Sequence, residues 1–407
     1  MPRRALILVE GSRFNAPLYV QAALRLGLHP ITLSADPAQY DYLASEGIEA
    51  IHVDTDDLDA LIRECSRLRA TYDIAGITSV GDSFYATVGK LCRYFDLPGP
   101  NATSIERCCD KFTQRQLLAE VGVLVPAYRL AANRMDVESS AAEIGLPVIL
   151  KPAIGTGSRG VRLCRNLDEL AEHTTYLLGR QHIWLSPPRI LVEEFAQGPF
   201  YDVATMGNAI VAVGAADFDR PPHFVPRESI FPAPLTDEEH ERIADVSLNC
   251  LRAVGLGWGP ANIEFRWTER GPVVIEVNPR LPGWATPRLI QLAYGVDIIN
   301  EHLKLVIGEE WDLRRRHSRT AAARFLIPEC DGVLDRIEGG SLAVAIPGVA
   351  EVKLYVEPKT PIVRKGDFRD TMGHVIAASP SRAETEAILQ RAIDLIGWSI
   401  IPLPPVR

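Results

Sequence analysis

Glu264, Glu276 and Asn278 are hard oxygen donors within one short stretch, IEFRWTERGPVVIEVNPRLPG (263–283). Its polar–apolar alternation is interrupted at Glu269-Arg270-Gly271, the pattern of two strands joined by a turn, in which residues of like parity share a face. Glu276 and Asn278 then lie on one face of the second strand, and Glu264 on the first can converge on them. Two carboxylates and an amide oxygen directed at one point suit Mg²⁺ held against phosphate. Arg280, two residues on, can face an anion beside the metal. The spacing points to a Mg-nucleotide site.

Two further segments have matching chemistry. PVILKPA, the glycine-rich run 154–160 (IGTGSRG) and VRLCR read as strand, flexible loop, strand, unlike the strand–loop–helix of a Walker P-loop. Such a hairpin can fold over a triphosphate and donate backbone N–H groups, with Lys151 as a point charge; an ordinary surface turn is the competing reading. RILVEEF ends in Glu193 and Glu194, which are either solvated strand-end charges or, with the main chain around Phe195, an edge for adenine. No Ser/His/Asp or Cys/His arrangement and no HExxH spacing is present, so neither a protein nucleophile nor zinc is assigned.

These groups sit in 407 residues, enough for two to four lobes, with 47% hydrophobic and 23% charged residues. The net charge of -9 and pI near 5.6 argue against nucleic acid or an anionic membrane as partner, so the basic run Arg314-Arg315-Arg316-His317 is read as a solvated linker. Seven scattered cysteines without a CxxC pair fit reduced thiols. No apolar run reaches the length of a membrane span, and residues 5–9 are too short for a secretory signal; a cytoplasmic protein is expected.

The elements that must position the site follow in order. Residues 1–101 alternate strand and helix (strands at 4–10, 29–34, 51–53 and 74–79; helices at 14–26, 57–69 and 82–95), a doubly wound parallel α/β domain. Its first strand lacks a following GxGxxG, and its loops at 11–15 and 80–83 either line a cleft or are plain turns. After the turn at 97–101, Thr103 or Ser104 caps a helix to about 121 that carries Lys111. Helices follow near 139–145 and at 167–178, then a polar loop through Pro187-Pro188 and antiparallel strands over 201–218. The segment 221–235, PPHFVPRESIFPAPL, holds too much Pro for a central strand and is expected to be a long loop. A helix at 237–254 leads into the metal hairpin. Residues 311–407 read as a small α+β cap with a last helix at 382–395.

An α/β lobe, Lys111, Lys151 before a glycine-rich hairpin, Glu193-Glu194-Phe195, then Glu264, Glu276, Asn278 and Arg280 occur in the order that resembles the ATP-grasp superfamily. Within it, the chain is similar to carboxylate–amine ligases of the dipeptide-forming L-amino-acid ligase type, over nearly its whole length. The resemblance implies a multi-lobe α/β and α+β architecture: the N-terminal domain (1–101), an ATP-grasp domain (102–310) whose small lid lobe spans about 124–195, and the cap (311–407). It implies ATP as co-substrate and Mg²⁺ as metal. Lys111 and Lys151 look like the phosphate lysines, Gly155, Gly157, Ser158 and Gly160 like the lid, and Glu193, Glu194 and Phe195 like the adenine hinge. Glu264, Glu276 and Asn278 would hold Mg²⁺, with Arg280 and Lys151 as catalytic groups.

The chain departs from the family pattern at three places: Phe200 stands where a ribose-binding Glu is common, with Asp202 as substitute; Asn262 stands for a His; and Pro282 stands for a Gly. Substrate selectivity is expected from 223–234, from 283–288 with Gly283, Trp284 and Arg288, and from the N-terminal turns. Arg227, Glu228, Arg280 and Arg288 would hold the charged ends of an amino acid; surface charge is the other reading of Arg227, Glu228 and Arg288. The implied reaction activates a small carboxylic acid, an amino acid first, as an acyl phosphate and joins it to an amine. A bicarbonate-using carboxylase and a non-catalytic nucleotide-binding regulator are the alternatives. Relatives often form homodimers, and that assembly is carried as an open expectation.

Overall fold

The structure is a computed structural model and describes residues 2–12, 15–179 and 188–402. Arg13, Phe14 and Pro187, which the expected first loop and helix start and the proline-containing loop include, lie outside the described residues.

The N-terminal lobe is a parallel sheet of β1 (Arg3–Val9), β2 (His29–Ser34), β3 (Glu49–His52) and β4 (Tyr72–Thr78), in the order β3-β2-β1-β4. A central parallel strand is covered on both faces, which is why β1 is almost uninterrupted hydrophobic sequence. Ala5, Ile7 and Val9 enter one core, with the helices α3 (Leu58–Leu68) and α4 (Asp82–Tyr94). Leu6 and Leu8 enter the other, which continues through α1 (Ala16–Arg25) into the rest of the molecule. The short α2 (Asp41–Ser45) completes the lobe.

The single helix expected from Thr103 or Ser104 is two: α5 (Ala102–Cys109), capped by Asn101, and α6 (Lys111–Glu120), capped by Asp110. Asp110 has extended backbone torsions and accepts from the N–H groups of Phe112 and Thr113, so it ends one helix by starting the next. The break puts Lys111 in the first turn of α6, where its N–H bonds to the Ala153 carbonyl.

The small lobe is an antiparallel sheet ordered β5-β8-β6-β7, from β5 (Tyr128–Ala131), β6 (Val148–Pro152), β7 (Arg162–Cys164) and β8 (Ile190–Glu194). The helices α7 (Arg134–Ile144) and α8 (Leu167–Leu178) form its core with the sheet. Helix α7 begins earlier than the expected 139, because Asn133 caps it on the Asp136 N–H.

The large sheet runs β13-β12-β9-β10-β11-β14-β18-β16. Its strands are β9 (Phe200–Met206), β10 (Ala209–Phe218), β11 (Pro226–Phe231), β12 (Pro260–Thr268), β13 (Gly271–Asn278), β14 (Thr320–Leu326), β16 (Val349–Leu354) and β18 (Gly373–Ser379). The expectation of a loop throughout 221–235 fails at β11, which is a central strand between β10 and β14. Its prolines stand at the first position, Pro226, and just beyond the last, Pro232, so no interior ladder donor is lost. Helix α9 (Asp237–Val254) packs under this sheet, and α10 (Thr286–Tyr294) and α11 (Ile298–Val306) join it to the N-terminal lobe.

The C-terminal residues extend this sheet: β14, β16 and β18 are three of its eight strands. The remaining elements are a sheet of β15 (Gly332–Glu338), β17 (Pro361–Ile362) and β19 (Gly397–Pro402), with α12 (Gly340–Val344) and α13 (Arg382–Asp394). Among the described residues, no helix is long and apolar enough to cross a membrane. All seven cysteines are free thiols.

Candidate active site

The hairpin of β12 and β13 forms in the expected register. Glu264 stands opposite Glu276, and Asn262 opposite Asn278. On the other side of β12, Glu264 faces Asp202 and Arg266 faces Phe200. Alternation therefore lines one sheet face with Phe200, Asp202, Asn262, Glu264, Arg266, Glu276 and Asn278, and all seven border a cavity of about 280 Å³. A register shift just after Glu264 breaks the ladder beside the donors, a usual place for a bulge that re-aims a side chain.

The positive charges come from other elements. Lys111 on α6 is buried; its Nζ lies 2.8 Å from Glu276 Oε1 and donates to the Gly155 carbonyl at 2.5 Å. Burial opposes the Lys111 charge, but Glu276 and Asp82 outweigh it and hold its pKa above the ordinary lysine value. Lys151, near the end of β6, lies 2.5 Å from Glu193 Oε2, while Arg115 Nε takes Glu193 Oε1 at 2.7 Å. All three side chains are buried. Burial pushes the Lys151 pKa down, Glu193 opposes this, and the neighbouring Arg115 charge adds to the lowering. Burial also works against ionised Glu193, yet Arg115 and Lys151 together keep its carboxyl below the usual range.

Arg280 follows β13. Its Nε lies 2.6 Å from Asp82 Oδ1 at the start of α4, Nη1 donates to the Leu281 carbonyl at 3.0 Å, and Nη2 reaches Thr156 Oγ1 at 3.4 Å. The guanidinium thus joins the N-terminal lobe, the metal hairpin and the glycine-rich loop. Burial opposes its charge, but Asp82, Glu264 and Glu276 hold the pKa up.

The donor set fits a divalent cation. Burial and then the neighbouring Glu276 carboxylate push the Glu264 pKa up, whereas Glu276, with Lys111, Lys151 and Arg280 around it, stays below the ordinary range despite its burial. Two opposed carboxylates of which one resists ionisation form a place where an added cation is favourable. Asn278 Nδ2 donates to Glu264 Oε1 at 3.3 Å, which fixes the amide beside it. Among the described residues no group of three or more His, Cys, Asp or Glu could hold a metal, so a cation taken by Glu264, Glu276 and Asn278 would draw its further ligands from phosphate oxygens and water. Asp202, opposite Glu264, is pushed up to about 7 by burial.

The other expected residues divide. Gly155, Gly157, Ser158, Glu193, Glu194, Phe195, Gly283 and Trp284 border the cavity with Lys111, Lys151 and Arg280. Gly160 does not; its carbonyl bonds to the His173 ring. Glu194 is tied to Arg270 at 2.8 and 2.9 Å. Arg227, Glu228 and Arg288 are not brought to the cavity. Arg227 is exposed, 3.9 Å from Asp217; Glu228 is bound by Arg324 at 2.8 Å; Arg288 donates to Gln291 at 2.7 Å. Their polarity was real, but β11 and α10 turn them elsewhere.

Several site residues have no mark in the sequence reading. Arg115 stands one helical turn after Lys111, so α-helical spacing alone offered a signal. Asp82 falls in the 80–83 loop, for which cleft lining and a plain turn are both expected readings. Phe218, Phe325 and Phe368 line the cavity from three separate segments, with Phe224 of the expected 223–234 selectivity stretch beside Phe218, and no local pattern links the three.

Residues 110–314, about half of the chain, match the family model of the carbamoyl-phosphate synthase L chain ATP binding domain, and residues 324–400 match that of the L-amino acid ligase C-terminal domain 2. The chain is 60% identical to the uncharacterized protein y4rH of Sinorhizobium fredii, covering 98% of this chain and 84% of that one. It is 27% identical to carnosine synthase 1 of Mus musculus over 74% of this chain, but spans only 39% of that protein. The crystal structure of L-amino acid ligase from Bacillus licheniformis has the same fold, with a TM-score of 0.81 over 99% of both chains at 20% identity. Through residues 110–314 the chain belongs to the family of the carbamoyl-phosphate synthase L chain ATP binding domain, within the ATP-grasp superfamily, and it is an ATP-dependent ligase of the carboxylate–amine class.

Proposed function

We propose that the enzyme activates a small carboxylic acid, an amino acid first among them, as an acyl phosphate and joins it to an amine. The observation that carries this reading is the meeting, in one cavity, of two lysines, a carboxylate pair with an amide, Arg280 and a docked glycine-rich loop. The likeness of 324–400 to an L-amino acid ligase domain supports an amino acid as substrate. Mg²⁺, held by Glu264, Glu276 and Asn278, would neutralise charge on the phosphates.

Lys111 and Lys151 bind and orient the triphosphate, and Arg280 holds the acid's carboxylate in line with the γ-phosphorus. A carboxylate oxygen forms the new P–O bond as ADP leaves. The amine nitrogen then attacks the acyl carbon, inorganic phosphate departs, and the nitrogen sheds a proton. The loop 155–160 keeps water from the acyl phosphate. Seven reduced thiols fit a cytoplasmic setting.

The test is a screen for ADP release over pairs of carboxylates and amines, with product masses determined. Turnover with amino-acid pairs is expected. Binding of Mg-ATP without turnover for any pair overturns the proposal.

A further inference from the structure

The glycine-rich loop is docked, and the C-terminal part of the chain helps to hold it. Residues 365–370 form a turn built on two buried aspartates. Asp370 accepts from the N–H groups of Lys365 at 2.7 Å and Gly366 at 2.8 Å, and Asp367 accepts from the Arg369 N–H at 3.0 Å. Asp367 and Asp370 are 1% and 6% exposed, so the turn is a fixed part of the molecule.

It delivers Phe368 to the cavity wall, where the ring meets two different structures. On one side is the loop: Gly157 has φ +68°, a Cβ there would stand 2.6 Å from the Phe368 ring, and the Arg159 guanidinium lies 5.6 Å over the same ring. On the other side is Trp284, edge-on at 5.7 Å, with φ +60°. A tryptophan held in the left-handed region needs surroundings that fix it, and Phe325 at 5.1 Å is its second aromatic brace. Trp284 closely follows Arg280 and lines the same cavity.

We infer that Phe368 is a positioning residue for this reaction: one side chain latches the 155–160 loop and braces Trp284, so that the loop closes only over a correctly formed substrate wall. The inference rests on the proposed ligase reaction for its benefit, which is retention of the acyl phosphate until the amine attacks. Its physical content, the loop's dependence on Phe368, does not require that reaction.

The experiment therefore has two readouts on the full chain, comparing wild type with Phe368→Ala, Phe368→Leu and Gly157→Ala. The first is tryptic cleavage after Arg159 in the presence of Mg-ADP, which needs no substrate pair. Phe368→Ala and Gly157→Ala are expected to speed it by about tenfold, while cleavage elsewhere is unchanged and Phe368→Leu is intermediate. The second is the ratio of ADP released to amide formed, expected to rise from near one to several in the two disruptive variants. Wild-type cleavage after Arg159 in both disruptive variants overturns the latch, and accelerated cleavage with an unchanged product ratio overturns its part in retaining the acyl phosphate. If Phe368→Ala does not fold, Gly157→Ala probes the same contact from the loop side. Failure of every substrate pair would sink the ligase reading and leave the proteolysis result standing.

Discussion

Arg280 Nε lies 2.6 Å from the Asp82 carboxylate, so a cavity residue just beyond the β12–β13 hairpin is fixed by the N-terminal lobe, nearly two hundred positions earlier in the chain. The side chains are 18% and 12% exposed, and removal of one partner leaves a poorly solvated charge. Asp82→Ala should cost about 2–4 kcal/mol of stability and lower kcat, with little change in KM for ATP. Denaturant unfolding and steady-state kinetics check this; unchanged values for both would show that Asp82 does not hold Arg280.

Arg115 is fully buried between Glu193 and the backbone of β13, donating to Glu193 and to the Ile275 carbonyl. Arg115→Met fits the space but leaves Glu193 with Lys151 alone. A loss of about 3 kcal/mol is expected, with weaker ATP binding because Lys151 is drawn further onto Glu193. Calorimetric ATP titration separates the two effects.

Glu276 is the partner of Lys111 at 2.8 Å and, in the proposed reaction, also an oxygen donor to Mg²⁺. Glu276→Gln should lower ADP release by about a thousandfold, more than the loss of either role alone. Near-normal ADP release would remove it from the mechanism.

His302 is buried between Tyr19 and Tyr85, whose hydroxyls lie 2.9 Å from its two ring nitrogens. Burial lowers its pKa to about 3, against 6.5 in the unfolded chain. Between those values the unfolded chain binds a proton that the native state does not, so stability falls as pH falls through the window. His302 alone contributes a slope of about 1.4 kcal/mol per pH unit. Denaturation of His302→Gln between pH 4 and 6 should show that much less acid sensitivity, and an identical slope would refute the assignment.

The wall beside Glu194 and Phe195 is aromatic. Phe200 and Phe218 pack at 4.9 Å, and the Arg266 guanidinium lies 5.3 and 5.5 Å over them. If no carboxylate binds the ribose hydroxyls, 2′-deoxy-ATP should support turnover within about tenfold of ATP. Stronger discrimination that disappears in Asp202→Ala would instead give Asp202 the ribose.

The convergence of Glu264, Glu276 and Asn278 was legible because side-chain parity in a hairpin is a local property. The alternating lobe at 1–101 and the helices at 167–178 and 237–254 were legible for the same reason. Strand β11 is hidden by its proline content, since only the positions of Pro226 and Pro232 leave its ladder donors intact, and α5 and α6 read as one helix because Asp110 can continue a helix or cap one.

What the sequence by itself determined is the chemistry at hand: oxygen donors on one face, lysines on separate elements, a glycine-rich hairpin that can approach a polyanion. Only the tertiary structure decided which charges meet. Arg227, Glu228 and Arg288 are as polar as Asp82 and Arg115, yet the first three are turned away from the cavity and the last two fix its Arg280 and Glu193. Phe368 and Gly157 are far apart in sequence and come together only when β14 and β18 extend the central sheet. Local pattern governs which way a side chain points from its own strand or helix, whereas packing between elements selects its partners, and no short-range signal encodes that choice.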